Sequence, residues 1–135
     1  MARIELWNGD ICDLEVDAIV NPANLSLWMS TGVSGAIKRA GGDAIEFAAV
    51  RQAPVPLGES IVTSGGELAA EAVIHAVSLD RDRRTSGPVI EAAVRSAMAR
   101  AREIGGRRRD RMAEEPDRPK QFREAPSRHR GARTP

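Results

Sequence analysis

The composition changes abruptly after Gly106, and this change limits how much of the chain can fold. Residues 107–135 contain no Val, Leu or Ile, and their only large hydrophobic residues are Met112 and Phe122. Such a segment cannot bury enough apolar surface to offset the entropy that is lost on ordering it. We therefore predict one domain over residues 1–106 and a basic, disordered tail over residues 107–135.

The charge distribution supports the same boundary. Residues 1–106 carry 10 Lys and Arg against 14 Asp and Glu, whereas residues 107–135 carry 10 against 5. The basic run Arg107–Arg111 makes a nucleic-acid contact an alternative role for the tail. Acidic residues are interspersed and no aromatic residue separates these arginines, so a solvated tail is favoured.

Apolar runs and turn residues predict the elements of the domain. Four short strands are predicted, at Ile4–Trp7, Asp17–Val20, Ser60–Thr63 and Ala72–Val77. Because these runs do not alternate strictly with polar residues, we expect strands that are buried on both faces. Helical patterns lie between them at Ser34–Ala40 and Gly42–Val50, the second with Asp43 as its N-cap. Interleaved strands and helices predict a layered α/β domain.

The longest helical pattern begins at Ser86 or Gly87 and ends near Ile104. Apolar residues recur along it at spacings of three and four, which is typical of one buried helix face. Pro88 stands at the predicted start and Gly105-Gly106 at the predicted end, where these residue types are favoured.

An acid follows the first predicted strand, in Asn8-Gly9-Asp10-Ile11. Asn-Gly is a turn dipeptide, so one interpretation of this motif is a tight turn. The alternative is that Asp10 accepts a hydrogen bond from an exocyclic amine such as that of adenine.

The second motif runs from a strand directly into two amides. Asn21-Pro22-Ala23-Asn24 follows the apolar run DAIV, at the strand end where open α/β sheets bind ligands. An Asn side chain both donates and accepts, so Asn21 or Asn24 could bind a ribose hydroxyl pair or orient a water; a turn function is the alternative. The small residues 30–35 then open a helix, where backbone N–H groups can bind a phosphate.

The motifs GDI, VDAIVNPAN, STGVSGAIKRAGG, PLGESIVTSGGEL and AVIHAV occur in this order from Gly9 to Val77. Together they resemble the macro domain family, and the resemblance extends through the helix ending near Ile104. It implies a three-layer α/β/α domain around a mixed sheet that binds ADP-ribose or a related nucleotide derivative above the strand ends.

The resemblance also implies roles for single residues. Asp10 is the acid expected at adenine, with Ile11 beside the base, and Asn24 is the Asn expected at the distal ribose. The first diphosphate loop corresponds to Gly32, Val33 and Ser34. Asn21 begins the same Asn-Pro-Ala-Asn motif as Asn24, and it is expected either to bind the ligand or to support the turn. His75 matches a strand position, where a hydrogen-bonded core histidine is favoured over a functional one.

Two departures from the family pattern limit what can be carried over. Family members that remove ADP-ribose from proteins often have an acid where this chain has Ser34, and a neutral hydroxyl needs an activating partner to act as a base.

The family also continues after the long helix with a strand, a second glycine-rich phosphate loop, a helix and a final strand. Here Gly106–Pro135 replaces them, so we expect a truncated domain in which Ile4–Trp7 has lost its neighbours and sheet edges are exposed.

The leading functional prediction is binding of ADP-ribose or of an ADP-ribosylated macromolecule. Each backbone N–H bond to phosphate that is missing with the second loop would cost about 1.5 to 3 kcal/mol. A competing hypothesis is a hydrolase of ADP-ribosyl adducts, O-acetyl-ADP-ribose or ADP-ribose phosphate, with Asn24 as the catalytic residue that positions water or substrate. An inactive truncated product and a weak nucleic-acid binder are two further hypotheses.

Several classes of function are disfavoured by composition. The one cysteine, Cys12, and the two histidines lack metal-ligand spacing, so neither a metal nor a cofactor is expected. No apolar run approaches the roughly 18 to 20 residues that cross a bilayer, and the start MARIELWNG does not resemble a secretory signal. We therefore predict a cytoplasmic protein without a membrane partner.

Overall fold

The computed structural model describes the backbone of residues 3–114 and the side chains of residues 3–111. Within these residues, a 3-10 turn, Ile11–Asp13, precedes three strands and three helices. In chain order these are β1 (Ala18–Asn24), α1 (Gly32–Gly41), α2 (Asp43–Val50), β2 (Ser60–Ser64), β3 (Ala72–Leu79) and α3 (Gly87–Glu114). Within residues 3–114, no helix combines the length and apolar character that a membrane crossing requires.

The strands form one mixed sheet in the order β1-β3-β2. β1 runs parallel to β3, with Ala18 opposite Ala72 and Asn21 opposite His75. β2 runs antiparallel to β3 on its other side. The central strand β3 is buried along Ala72–Val77, as its continuous apolar sequence predicts.

Helices cover both faces of this sheet, which confirms the three-layer α/β/α expectation. On one face Ile74 and Ala76 of β3 pack with Ala93, Ala97 and Ile104 of α3. The other face of the sheet packs against α1 and α2, with the buried side chains Ile19, Ala23, Ile37, Ile45, Ala49, Val73 and Val77.

The first predicted strand is wrong. Ile4–Trp7 pairs with no strand among the described residues, and Ile4 and Leu6 are 91% and 100% exposed. A strand needs a partner for its backbone hydrogen bonds, and Ile4–Trp7 is not paired with any strand of the β1-β3-β2 sheet. The segment therefore lies outside the core. This agrees with the expectation that Ile4–Trp7 has lost the strands that would neighbour it in the family's sheet.

Two smaller predictions also need correction. β1 alternates buried and exposed residues instead of being buried on both faces, because it stands at the sheet edge. The N-cap of α2 is Gly42, with φ of 101°, and Asp43 is the first residue of the helix. Gly42 takes this position because φ in this range favours a residue without a Cβ.

The end of the long helix differs most from the sequence prediction. α3 continues through Gly105 and Gly106 to Glu114 instead of ending near Ile104. Beyond the glycines, the Arg108 guanidinium contacts the Asp17 carboxylate just before β1. Ile104 also remains buried against the sheet. The Arg108 contact anchors α3 just past the glycines, so residues 107–114 of the predicted tail are helical, and residues 115–135 lie outside the described residues.

The continuous helix predicts that Gly106→Ala stabilises the protein. A Cβ at Gly106 would lie 3.9 Å from the Arg109 guanidinium, so it meets no obstruction. Alanine in a helix interior is favoured over glycine by about 0.5 to 1 kcal/mol. Denaturant unfolding should show this gain, together with unchanged or stronger helical circular dichroism. Destabilisation by Gly106→Ala would mean that the helix ends at the glycines, as their sequence suggests.

Candidate functional site

The candidate site lies at the carboxyl end of β1, where the β1–α1 loop (residues 25–31) leads into α1. A cavity of about 180 Å³ opens there. It is lined by Pro22, Asn24, Trp28, Ser30, Thr31, Gly32, Val33, Ser34, Leu79 and Arg83. Four of the seven predicted site residues, Asn24, Gly32, Val33 and Ser34, are thus brought to one cavity.

The start of α1 supplies unsatisfied backbone donors to this cavity. An α-helix has no internal acceptor for its first N–H groups, here those of Gly32, Val33 and Ser34. The N-cap residue Thr31 makes no side-chain hydrogen bond to them. Gly32 adopts φ of 62°, which a residue with a Cβ rarely takes. The helix dipole adds positive potential at this end, so the cavity is suited to an anion.

Asn24 holds the β1–α1 loop in shape. Its Oδ1 accepts hydrogen bonds from the Leu27 N–H at 2.9 Å and from the Ser26 hydroxyl at 2.7 Å. Its Nδ2 donates to the Trp28 carbonyl at 3.4 Å. These bonds fix Leu27, whose φ of 64° is unusual for a residue with a side chain. The turn function considered for Asn24 is therefore present, and its role at a ribose stays a prediction.

A buried carboxylate ties the same loop to α2. Glu46 accepts a hydrogen bond from the Met29 N–H at 2.7 Å and pairs with the Lys38 ammonium at 2.9 Å. Burial of Glu46 opposes its ionisation, but the bonds from Lys38 and Met29 outweigh it, so the pKa of this carboxyl is lowered. Near neutral pH, Glu46 therefore stays charged and holds the β1–α1 loop in position.

A chain of side-chain hydrogen bonds joins the start of α1 to the centre of the sheet. The Ser34 hydroxyl donates to Asn21 Oδ1 at 2.8 Å, and Asn21 Nδ2 donates to His75 Nδ1 at 3.0 Å. On the far side of the ring, His75 Nε2 lies 3.0 Å from Thr63 Oγ1, which donates to the Ser64 carbonyl. Asn21 is fully buried, so it supports the site from behind and does not line the cavity.

This network requires a neutral imidazole. Because Asn21 Nδ2 can only donate, His75 Nδ1 must accept and the ring proton must sit on Nε2. Burial lowers the pKa of His75 from 6.5 to about 4. The expectation of a hydrogen-bonded core histidine is confirmed, since His75 is fully buried with both ring nitrogens engaged.

Ser34 lacks an activating base among the described residues. Its hydroxyl donates to an amide oxygen of Asn21 and, at 3.4 Å, to the Pro22 carbonyl, neither of which can take a proton near neutral pH. His75 is connected to Ser34 only through Asn21. The other histidine, His129, lies outside the described residues. The geometry thus gives no support to hydrolysis by way of Ser34.

Asp10 and Ile11 are not among the residues that line this cavity. One carboxylate oxygen of Asp10 accepts a hydrogen bond from the Cys12 N–H at 2.9 Å, which caps the 3-10 turn. Ile11 is half-buried against the core beneath α1. The turn interpretation of this motif is therefore present, and the adenine role of both residues stays a prediction.

Sequence reasoning missed Arg83 and Trp28 in the lining and Glu46 behind it. Arg83 stands in a charged turn after β3, where Asp80 Oδ1 accepts from the Arg84 N–H at 2.8 Å. Nothing in the sequence distinguishes this turn from a solvated loop. Trp28 also borders an adjoining groove of about 670 Å³. Glu46 was detectable, because every other residue of α2 after Asp43 is apolar, and a charge within such a stretch needs a buried partner.

The His75 network predicts that stability falls in mild acid. Between pH 6.5 and pH 4 the unfolded chain binds a proton at this residue that the folded chain does not, so unfolding is favoured as the pH falls. The expected loss of unfolding free energy between pH 7 and pH 5 is about 2 kcal/mol. Urea unfolding at several pH values measures it.

The control for this prediction is His75→Gln, which cannot titrate. It should be less stable at pH 7 by about 1 to 3 kcal/mol because the buried partners Asn21 and Thr63 lose their geometry. Its stability should then change little between pH 7 and pH 5. A wild-type slope equal to that of the variant would contradict a neutral, buried His75.

Comparison with known proteins places this arrangement in a family. A sequence profile described as the macro domain matches residues 20–108, more than half of the chain. A macro domain-containing protein of Cupriavidus necator is 51% identical over 79 residues, which cover 56% of this chain and 46% of that protein.

Solved structures give the same result. A mutant macrodomain of Oceanobacillus iheyensis with ADPR superposes with a TM-score of 0.60 and 32% identity, covering 66% of this chain and 53% of that one. The Trypanosoma brucei macrodomain in complex with ADP-ribose gives a TM-score of 0.61 and 29% identity, covering 69% and 39%. The chain thus spans about half or less of the length of these proteins. The profile match, the relatives and the shared fold together establish that the chain belongs to the macro domain family.

Proposed function

We propose that this chain binds the diphosphate of ADP-ribose, or of an ADP-ribosyl group on a macromolecule, at the start of α1. The observation that carries the proposal is the cavity of about 180 Å³ into which the first residues of α1 face. The N–H groups of Gly32, Val33 and Ser34 have no acceptor within the helix, and phosphate oxygens would satisfy them. Two of the similar solved macrodomain structures contain ADPR or ADP-ribose, which supports the choice of ligand.

The size of the cavity limits what it can enclose. Pockets that surround whole small ligands usually have volumes of roughly 300 to 1,000 Å³. A cavity of about 180 Å³ would hold the diphosphate and leave much of the nucleoside outside. The adjoining groove that shares Trp28 offers room for a group attached to the distal ribose. We therefore expect weak binding in which the diphosphate dominates.

We assign the remaining contacts by chemistry. The Asn24 amide stands at the cavity and would hydrogen-bond a ribose hydroxyl or a water beside it. Exposed Asp10 would accept the exocyclic amine of adenine with the carboxylate oxygen that does not cap Cys12. Arg83 is cationic and faces the same cavity as the helix start, so it would neutralise phosphate charge.

Calorimetric titration with ADP-ribose and with its fragments tests the proposal. ADP-ribose and ADP should both bind, whereas adenosine should not, since it lacks the diphosphate. Asn24→Ala should weaken ADP-ribose binding at least about tenfold, which corresponds to one hydrogen bond to ligand together with a less ordered loop. Circular dichroism establishes that the variant is folded.

The matched control is Gln52→Ala, which removes an exposed amide that does not line the cavity. It should bind like wild type. Asn24→Asp adds a second comparison, because a carboxylate still accepts from the Leu27 N–H but places negative charge beside the diphosphate. Equal binding of adenosine and ADP-ribose, or no binding of ADP-ribose by the folded chain, would overturn the proposed function.

Arg83→Gln gives an independent prediction. Because the arginine is exposed, its pairing with phosphate is screened by solvent, and the affinity for ADP-ribose should fall about three- to tenfold. Arg84→Gln is the control, since Arg84 lies in the same turn but does not line the cavity. The difference between the two variants should shrink at high salt. Equal affinities of both variants at low salt would argue against a role for Arg83.

A further inference from the structure

One edge of the sheet has unused hydrogen-bonding capacity. β1 pairs only with β3 among the described residues, so the other side of Ala18–Asn24 presents backbone N–H and C=O groups without a neighbouring strand. Such an edge is a template for pairing with another extended segment. We call it the free edge of β1.

The opposite edge of the sheet differs. There Gln52, in the turn that follows α2, donates through Nε2 to the Val62 carbonyl of β2 at 3.1 Å, so a side chain already occupies part of that edge. The free edge of β1 is therefore the better site for an added strand.

An apolar groove borders the free edge of β1 on the α3 side. It has a volume of about 270 Å³, and Val20, Pro22, Ile90, Val94 and Met98 are among its lining residues. Of these, Val20, Ile90, Val94 and Met98 are each 43 to 54% exposed. Backbone donors and acceptors next to exposed aliphatic side chains are the two requirements of strand addition.

The chain also contains a segment with the matching properties. Ile4–Trp7 has a strand-like sequence, yet it forms no strand, and Ile4 and Leu6 are almost fully exposed. In an extended conformation Ile4 and Leu6 point to one face and Glu5 and Trp7 to the other. Ile4 and Leu6 could therefore cover the groove while the backbone between them pairs with the free edge.

The lengths of the two elements agree. Pro22 lacks an N–H and restricts strand addition at its position, so an added strand would pair chiefly with Ala18–Asn21. That is a stretch of four residues, as is Ile4–Trp7.

We infer that two copies of this chain form a symmetric dimer in which Ile4–Trp7 of each copy adds to the free edge of β1 in the other. Each copy supplies one segment and one edge, so two identical contacts close the assembly. The exchange removes both unpaired edges and covers both exposed groups of aliphatic side chains.

Other segments of the chain are poorer occupants. Residues 115–135 contain Phe122 as their only large hydrophobic residue, so they offer no pair of aliphatic side chains to the groove. Within one copy, Ile4–Trp7 enters the fold through Cys12, which is buried beneath α1 on the face of the sheet opposite the groove. In that arrangement the segment extends into solvent and leaves its own edge uncovered.

Sedimentation equilibrium of the full chain over a range of concentrations tests this inference. Wild type should dimerise, and Leu6→Glu should raise the dimer dissociation constant at least about tenfold, since it places a charge against the groove. Leu6 is fully exposed in one copy, so the variant should fold normally by circular dichroism. Phe47→Glu is the control, because it places the same charge on another exposed hydrophobic residue, on α2 away from the apolar groove, and should dimerise like wild type.

Cross-linking identifies the segment and the surface involved. When a Leu6→Cys chain is mixed with a Val94→Cys chain under oxidation, the inference predicts a disulfide between the two different chains. Sedimentation would overturn the inference if the protein were a monomer at all concentrations, or if Leu6→Glu left the dimer intact. A third contrary result would come from a chain that carries both cysteine substitutions, if the disulfide formed only within that chain and never between two chains. Ligand binding is not a readout here, so the result is independent of the proposed function.

Discussion

The buried imidazole of His75 connects the centre of the sheet to the candidate site. It lies in the middle of β3, and both ring nitrogens are hydrogen-bonded, to Asn21 of β1 and to Thr63 of β2. All three strands therefore contribute to one polar network inside a mostly apolar core. Because Asn21 also accepts from Ser34, the network fixes the first turn of α1 relative to the strand end. A buried polar group without partners is costly, so the strands and the helix are held in one relative arrangement.

The loop that precedes α1 depends on two further side chains. Asn24 binds the Leu27 N–H and Glu46 binds the Met29 N–H, so backbone donors in the loop are held by acceptors from β1 and α2. The first amides of α1 have no acceptor within the helix, and we propose that a ligand phosphate satisfies them. This arrangement supports binding of a diphosphate more than hydrolysis. Ser34 donates to the amide oxygen of Asn21, and the described residues place no group beside it that is basic enough to take its proton. The ligand site lies at the carboxyl end of β1, whereas the proposed dimer contact runs along Ala18–Asn21, and Pro22 borders both.

Much of the fold could be predicted from local sequence, because β2, β3, α1 and α2 have apolar patterns and boundaries that fit their observed ranges closely. Ile4–Trp7 was predicted as a strand because its residues favour one, but strand formation also needs a partner, which no local pattern reveals. The glycines 105 and 106 suggested a helix end, yet Arg108 contacts Asp17 beyond them, a contact between residues far apart in sequence. The helix start and Asn24, both predicted as site residues, line one cavity in the structure, whereas Arg83 joins them only through the packing of β3 beside β1.

The central claim is that the first residues of α1 bind a diphosphate even though this chain spans about half the length of related structures. Amide chemical shifts recorded by NMR during titration with ADP-ribose test it most directly. The account predicts saturable shifts concentrated at the N–H groups of Gly32, Val33 and Ser34, with much smaller shifts along β2. Shifts that spare these three amides, or that spread evenly over the surface of the folded protein, would contradict it.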